Sequence, residues 1–360
     1  MKVGILTYYG VHNHGAVLQA NALKTVLERK GHECGFLAFE RSYSNISQKQ
    51  ANKYKLGLGS IRFYTQYLME KGIANIFYNL KKKRTLAKFR ADNIPMMGKY
   101  QDFTGDLVVI GSDEVFSLEI GVNPFFYGNG LSAKHVISYA GCFGPSTYED
   151  VIRQGQQEMI SQGLRHMEAV SVRDQNSLKT VKKTAGIDAT LVCDPVILYG
   201  YEKEMQSFVP PLKDYILIYS YDKNLNDESE YSYIKAYAHT HNLKIVSVGY
   251  YHRWCNSIDA SPIELLGWIK NARLVVTDTF HGSVISIICN TSVVVKLRGN
   301  QNKLKFLLTE YGLLNRTISD FSQMERVSNQ SIDMKVVNAK IQERRTASMK
   351  FLDNALMNCK

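Results

Sequence analysis

The chain alternates short, continuous apolar runs with helical periods, and this alternation is the feature that most restricts its fold. The apolar runs are "KVGILTYYG", "DLVVIGSD", "KHVISYAGCFG", "EAVSV" and "ATLVCDP" in the first half, and "YILIYSY", "KIVSVGYY", "RLVVTD" and "SVVVKLR" in the second. Short strands that are apolar on both faces are typical of a parallel sheet covered by helices on both sides. The sequence therefore predicts an α/β protein.

Two of the predicted helices carry clear boundary signals. The helix that contains "AVLQANALKTVLERK" is followed by Gly31, a residue typical of the position just after a helix end. In "SPIE", Ser261 suits the N-cap, Pro262 the first helical position and Glu264 the third, which together make a capping box. A last helix is predicted over about 332–357, and we expect it to pack back on the first half of the chain.

The strand-helix pattern restarts after "FVPPLKD", residues 208–214. A double proline cannot continue a helix or the middle of a strand, so this stretch is the best candidate for a linker. A length of 360 residues also favours two domains. We predict two Rossmann-like, doubly wound domains, 1–207 and 208–360, that face each other across a cleft.

Open parallel sheets bind ligands at the carboxyl ends of their strands, so polar residues there are the site candidates. They are His12, Asn13, His14 and Gly15 after the first strand, Gly111, Ser112 and Asp113 after "LVVI", Arg173 and Asp174 after "AVSV", Asp278, Thr279 and His281 after "RLVVT", and Arg298 and Lys303 after "VVVKL".

Composition excludes several classes of protein. An apolar content of 45% with 7 prolines excludes a disordered or fibrous chain. The six cysteines form no C-x-x-C pair, so neither a zinc cluster nor a disulfide framework is predicted. No metal site is readable. The start lacks a signal-peptide pattern and no apolar stretch approaches a membrane span, so we expect a cytoplasmic protein.

Positive charge is concentrated in residues 53–90, which read as a basic helical segment. The chain carries a formal net charge of +11. Residues 53–90 contain ten Lys or Arg and one acid, Glu70, with Phe77, Tyr78 and Phe89 interleaved. The segment is either a solvated helix face or a surface for an anionic membrane or substrate. No nucleic-acid-binding motif accompanies it, so nucleic acid is not an expected partner.

Six motifs carry a resemblance to a known family. They are "HNHGAVLQANAL" (12–23), "GSDEVF" (111–116), "SYAGCFG" (138–144), "SVRDQNSLKTV" (171–181), "DP" (194–195) and "TDTFHGSVISI" (277–287). In this order and rough spacing they resemble the polysaccharide pyruvyltransferase family. The similarity spans nearly the whole chain, and each motif alone is short.

The resemblance implies a fold similar to the two-domain GT-B glycosyltransferases. It implies phosphoenolpyruvate as donor, with no other cofactor, and a sugar of a surface polysaccharide, often carried on a lipid diphosphate, as acceptor. The implied product is a pyruvate ketal. The first domain is then the acceptor side and the second the donor side, and peripheral contact with the inner face of the membrane is expected.

Roles follow for the candidate residues. Ketal formation needs a general acid and a base, and His281 fits the acid because a histidine holds or releases a proton near neutral pH. Asp113 is the candidate that orients or deprotonates the acceptor hydroxyl. The candidate donor-binding residues are Arg173, Arg298, Lys303, Thr279, Gly282 and Ser283. The candidate acceptor-binding residues are His12, Asn13, His14, Gly15 and Ser112.

Structural interpretations compete with these roles. His281 could be a satisfied core residue, and Asp113 could cap a following helix. Arg173 could pair with Asp174 or Glu168 at the surface, and Gly15 could only permit a tight turn.

One position departs from the family pattern. Better-characterised members have an arginine two residues before the motif histidine, where this chain has Thr279. Arg298, Lys303 or a cation of the basic segment then replaces that arginine, or the donor differs. Three functions stay open: a pyruvyltransferase, a GT-B glycosyltransferase that uses a nucleotide sugar, and a non-catalytic glycan-binding relative.

Overall fold

The first half of the chain builds a five-stranded parallel sheet. The computed structural model describes residues 1–40, 72–299 and 302–359. The strands lie in the order β3-β2-β1-β4-β5, and every pairing is parallel. They are β1 (Lys2–Leu6), β2 (Glu33–Ala38), β3 (Met96–Lys99), β4 (Leu107–Ile110) and β5 (His135–Ser138). Beside β5, the two-residue strands β6 (Ser171–Val172) and β7 (Thr190–Leu191) pair with each other.

The second half builds a six-stranded parallel sheet in the order β10-β9-β8-β11-β12-β13. Its strands are β8 (Tyr215–Tyr219), β9 (Lys244–Val248), β10 (Asn256–Ile258), β11 (Leu274–Thr277), β12 (Val293–Lys296) and β13 (Thr317–Ile318). In each sheet the order reverses beside the first strand, β1 or β8. The loops that leave β1, β4, β8 and β11 therefore open a crevice, where such sheets bind ligands.

Helices connect and cover the strands. Those of the first half are α1 (His14–Arg29), α2 (Ile73–Asn93), α3 (Tyr148–Arg153), α4 (Gln157–His166), α5 (Gln175–Ala185) and α6 (Pro195–Tyr199). Those of the second half are α7 (Glu228–Thr240), α8 (Pro262–Lys270), α9 (Phe280–Ile288), α10 (Asn302–Glu310), α11 (Met324–Ser328) and α12 (Met334–Asn358). In the described part of the chain, none of the helices has the length and apolarity to cross a bilayer.

Local signals set the helix boundaries. The capping box at Ser261 is present, with both of its hydrogen bonds. Gly31 lies beyond the end of α1 with a φ of 83°. Helix α9 begins at Phe280, earlier than the run "SVISIICN" predicts, because the Thr279 hydroxyl accepts a hydrogen bond from the Gly282 amide at 2.9 Å and caps the helix. The stretches "EAVSV" and "ATLVCDP" form only the two-residue strands β6 and β7.

The two halves share one apolar core. Helix α1 of the first half packs against α6, α8 and α9, and their buried side chains form a single cluster. Helix α12 returns to the first half, where the Cys193 amide donates a hydrogen bond to the Ser348 hydroxyl at 2.8 Å. Arg345 of α12 also donates from Nε to the Ile197 carbonyl of α6 at 2.6 Å. The position of α6 is therefore set by elements from both ends of the chain.

Candidate functional site

A cavity of about 560 Å³ lies in the crevice between the two sheets. Its wall includes Asn13 from the loop after β1 and Asp113 from the loop after β4. The opposite wall includes Tyr219 at the end of β8 and Asp278 after β11, together with the starts of α9 and α10. Candidate residues from both halves of the chain thus face one another across this space.

His281 is the second residue of α9 and lines this cavity. Its side chain is nearly enclosed, and the residue is 7% exposed. Nε2 has no hydrogen-bond partner and lies 3.8 Å from Oδ2 of Asp194, beyond hydrogen-bond distance. Burial lowers the pKa of His281 despite the opposing charge of Asp194. His281 therefore differs from a satisfied core histidine, because its buried Nε2 makes no hydrogen bond to the protein.

Gly15 explains how His281 is placed. A Cβ atom at Gly15 would lie 2.3 Å from Cβ and Cγ of His281. Only a glycine lets the first turn of α1 approach the first turn of α9 this closely. The sequence suggested a tight strand-to-helix turn at Gly15, whereas the close contact is between two helices from different halves.

Arg173 is held in a buried ion-pair network. Its guanidinium donates from Nη1 to Asp194 Oδ2 at 2.8 Å and from Nη2 to Asp113 Oδ1 at 3.2 Å. Its Cζ lies 4.5 Å from the centre of the Phe280 ring. Arg173 does not line the cavity, since Asp113 and Phe280 do so in front of it. The sequence-based alternative of a surface pair is wrong, because burial leaves Arg173 with these carboxylates as partners.

Asp113 points into the cavity and has a partly accessible carboxylate. Burial alone would raise its pKa, but nearby cations, Arg173 first, outweigh that effect and hold the pKa of Asp113 below its ordinary value. No helix begins after Asp113 in the described chain, so the helix-capping interpretation is wrong. The backbone has a φ of 73°, a left-handed conformation that aspartate tolerates better than most residues.

Arg298 and Lys303 line the cavity and are paired with acids. Arg298 donates from Nε to Asp278 Oδ2 at 2.9 Å and from Nη2 to Glu230 at 2.7 Å. Lys303 forms an ion pair with Glu114 of the first half, and its Nζ lies 5.4 Å from the centre of the Phe280 ring. The charges of Lys303 and Arg173 therefore flank the same ring.

Thr279, Gly282 and Ser283 are occupied by the start of α9. The Thr279 side chain lines the cavity, but its oxygen is already the helix cap. The Gly282 amide donates to that oxygen, and the Ser283 hydroxyl donates to the Thr279 carbonyl at 3.2 Å. Gly282 and Ser283 do not reach the cavity wall.

The predicted acceptor-binding residues separate into different places. Asn13 lines the cavity while its Oδ1 accepts from the Gly15 amide at 2.9 Å and caps α1. Ser112 is fully buried, and its hydroxyl donates to Gln19 at 2.8 Å, away from the cavity. His14 is also buried and donates from Nε2 to the Ala260 carbonyl of the second half at 2.8 Å.

A family model described as "Polysaccharide pyruvyl transferase" matches residues 13–297. This range covers most of the chain and includes the motif residues around the cavity. The chain belongs to this family. Membership assigns it a transferase role in pyruvyl transfer, with a donor and a sugar acceptor. No curated protein matches the sequence.

Solved structures similar to this family member share its GT-B fold and little sequence. S. aureus MnaA in complex with UDP matches at a TM-score of 0.54 with 10% identity, over 100% of this chain and 98% of that chain. The glycotransferase of kitacinnamycin matches at 0.52 with 12% identity, over 100% and 99%. A putative UDP-N-acetylglucosamine 2-epimerase from Listeria monocytogenes matches at 0.51 with 12% identity, over 96% and 91%. The predicted GT-B-like fold is confirmed.

Sequence reasoning missed the partners that organise the site of this pyruvyl transferase family member. Asp194, quoted only as part of a motif, bonds Arg173 and lies beside His281. It also caps α6, because its Oδ1 accepts from the Val196 amide at 3.0 Å. The only sequence signal was "DP", a common start of a helix.

An aromatic wall was also missed. Tyr219, Tyr221 and Tyr250 all line the cavity. The Tyr250 ring lies edge-on to the other two, with centroid separations of 5.2 Å and 5.3 Å. Flat apolar faces of this kind suit the C–H surface of a sugar ring. Tyr219 ends strand β8, and Tyr221 and Tyr250 lie just beyond the ends of β8 and β9. Tyrosine is common at such positions, so the sequence alone did not single these residues out.

The basic segment, which the sequence left open between a solvated helix face and an anion-binding surface, is only partly exposed. Residues 53–71 of that segment lie outside the described residues. Within α2, Lys81, Lys83, Arg84 and Lys88 are exposed, but Lys82 is buried at 4% exposure. Its Nζ lies 4.2 Å from the centre of the Tyr250 ring. The description of the segment as a uniformly solvated helix face is therefore wrong at Lys82.

Two further points concern ligands. His12 is exposed and lines a second cavity, together with Lys82 and Lys83. Across residues 1–40, 72–299 and 302–359, no three His, Cys, Asp or Glu side chains are grouped so that they could hold a metal ion.

Proposed function

We propose that this protein transfers the pyruvyl group of phosphoenolpyruvate to a sugar of a cell-surface polysaccharide precursor carried on a lipid, and closes a pyruvate ketal. The observation that carries the proposal is that His281, whose Nε2 makes no hydrogen bond, lines a cavity that also presents the side chains of Asp113, Arg298 and Lys303. Family membership supports the same reaction class.

The donor carries a phosphate and a carboxylate and needs positive partners. Arg298 and Lys303 supply side-chain charge at the cavity wall. The N-terminus of α9 also faces the cavity, and the exposed amide groups and dipole of a helix N-terminus favour an anion. Arg173 acts from behind Asp113, where it keeps that carboxylate ionised. Arg298 and Lys303 thus take the place of the family's arginine, at whose position this chain has Thr279.

The reaction then uses two side chains in sequence. His281 gives a proton to the methylene carbon of phosphoenolpyruvate, which leaves an oxocarbenium-like centre at the neighbouring carbon. A sugar hydroxyl attacks that centre and loses its proton to Asp113. A second hydroxyl of the same sugar displaces phosphate and loses its proton, which closes the ring. The balanced products are a pyruvate ketal and inorganic phosphate.

Incubation of the purified protein with phosphoenolpyruvate and a synthetic galactoside or mannoside tests the proposal. The expected product is heavier than the acceptor by pyruvate less water, and one phosphate is released for each ketal. A matched acceptor with one of the two bridging hydroxyls removed should form no ketal. Transfer of a hexose from a nucleotide sugar, with no reaction of phosphoenolpyruvate, would replace the proposal with a glycosyltransferase.

A further inference from the structure

A second cavity adjoins the first. It has a volume of about 360 Å³ and is lined by His12, Ile76, Asn79, Leu80, Lys82 and Lys83. Lys82 lies over the ring of Tyr250, which lines the main cavity, so the linings of the two cavities are in contact at this pair. His12 and Asn13, adjacent in sequence, line one cavity each.

The second cavity is positively charged. Lys82 is 4% exposed, and its Nζ contacts an aromatic face. Burial lowers the pKa of Lys82 to about 8, although the carboxylates of Asp222 and Asp259 act against that change. The charges of Arg90, Lys82 and Lys83 add to burial in lowering the pKa of His12. A buried ammonium in such surroundings is stabilised by an anion that enters the cavity.

An apolar strip leads to this charge. Ile73, Phe77 and Leu80 of α2 are 68%, 67% and 50% exposed. Their spacing of four and three residues places them on one face of the helix. Leu80 also lines the second cavity, so the strip and the cations are continuous. Exposed apolar side chains next to the buried Lys82 and the exposed Lys83 fit a ligand that joins a hydrocarbon chain to an anion.

We propose that the second cavity binds the diphosphate of a lipid-diphosphate-linked acceptor, with the first part of the lipid on Ile73, Phe77 and Leu80. The sugar then passes Tyr250 into the main cavity. This inference rests on the proposed function and assigns the carrier group of its acceptor to residues of α2.

Lys82→Met, compared with Lys81→Gln, tests the assignment. Lys81 is exposed on the same helix and lines neither cavity, so it is a matched control. Three acceptors with the same sugar are compared: a methyl glycoside, a soluble sugar diphosphate and a short-chain lipid-diphosphate sugar. Lys82→Met should raise KM about tenfold for both diphosphate acceptors, a loss of about 1.4 kcal/mol. KM for the methyl glycoside and for phosphoenolpyruvate should not change.

Further variants separate the parts of the ligand. Phe77→Ser should raise KM for the lipid-linked acceptor alone. Lys82→Arg should retain most of the affinity for both diphosphate acceptors, and thermal melts of all variants report whether they fold. If Lys82→Met is folded and uses both diphosphate acceptors with the KM of the wild type, the assignment is wrong, while pyruvyl transfer stands.

Calorimetry with inorganic pyrophosphate tests whether the second cavity binds a diphosphate, even if no acceptor is pyruvylated. Binding to the wild type and to Lys81→Gln, lost in Lys82→Met, supports the subsite independently of the reaction. Equal binding by all three proteins, or no binding by the wild type, overturns it.

Discussion

At the scale of single residues, Asp194 joins two groups that the sequence suggested separately. Its Oδ2 accepts from Arg173 at 2.8 Å and lies 3.8 Å from Nε2 of His281. An ionised carboxylate at this distance favours the protonated form of the histidine. Asp194 is therefore a positioning residue, since it acts on the proposed acid through space.

Asp194→Asn should shift the pH dependence of turnover. A general acid must be protonated, so kcat/KM falls as the pH rises through the pKa of His281 in the free enzyme. Asp194 raises that pKa against the effect of burial, and its removal lowers the pKa further. The alkaline fall of kcat/KM should therefore move to lower pH. An unmoved profile would show that Asp194 only supports the fold.

Asp174→Asn is the matched control. Asp174 follows Arg173, is equally buried and caps α5 through the Ser177 amide at 2.8 Å. The Asp174→Asn substitution should lower the thermal midpoint without moving the pH profile of kcat/KM.

His281→Ala should lower turnover by about 100-fold or more, the usual scale for the loss of a general acid. The reason is that Nε2 makes no hydrogen bond that the substitution would break, but is the group proposed to donate the proton. Single-turnover kinetics with phosphoenolpyruvate measure the effect. Full activity in this variant would exclude His281 as the acid.

At the scale of elements, the site depends on how closely α1 approaches α9. Asn13 caps α1 and Thr279 caps α9, so both helices begin at the cavity wall. The glycine between them, Gly15, lies against the side chain of His281. Helix packing here sets the depth at which the histidine ring lies.

Gly15→Ala should damage both stability and turnover. The added Cβ would lie 2.3 Å from His281, so one helix must move. Overpacking of a tight contact costs about 1–3 kcal/mol. Denaturant unfolding and kcat measure the two effects. Gly10→Ala is the control, because a Cβ there meets no atom within 4 Å. Equal behaviour of the two variants would contradict a role for the close approach.

At the scale of the whole molecule, His14 joins the two halves. It is buried at the start of α1 and bonds the Ala260 carbonyl of the second half. Burial lowers its pKa from the ordinary 6.5 to about 3, so the ring is neutral in the folded protein. The unfolded chain binds a proton at 6.5, and the folded protein does not until about 3.

His14→Gln should weaken the dependence of stability on pH. The pKa of His14 is lowered on folding, so the unfolded state binds its proton first as the pH falls. The contribution of neutral His14 to the free energy of unfolding is therefore fully present above pH 6.5 and is lost as the pH drops towards about 3. Glutamine keeps a donor for Ala260 but cannot bind the proton. Between these pH values the free energy of unfolding should fall less steeply, by about 1.4 kcal/mol per pH unit. An unchanged slope in His14→Gln would contradict this account of His14.

Much of the architecture could be predicted from sequence because its signals are local. The alternation of apolar runs and helical periods, the capping box at Ser261 and the glycine at 31 are each decided within a few residues. The ordered motifs were sufficient to identify the family and its GT-B fold, since the chemistry needs particular residues at strand ends. His281, Asp113, Arg298 and Lys303 were found in this way, and all four line the cavity.

Tertiary structure alone decided which of these residues act together. Asp194 is 21 positions from Arg173 and 87 from His281 in sequence, and no local pattern says which of the 33 acids lies beside a given cation. Lys82 reads like its neighbours in "KKKR" but is buried under Tyr250, because the second half of the chain packs against α2 there. Ser112 and Ser283 read as ligands but are consumed by internal hydrogen bonds. Local sequence determines where a strand or helix begins, whereas burial and pairing depend on surfaces brought together only when the two halves pack.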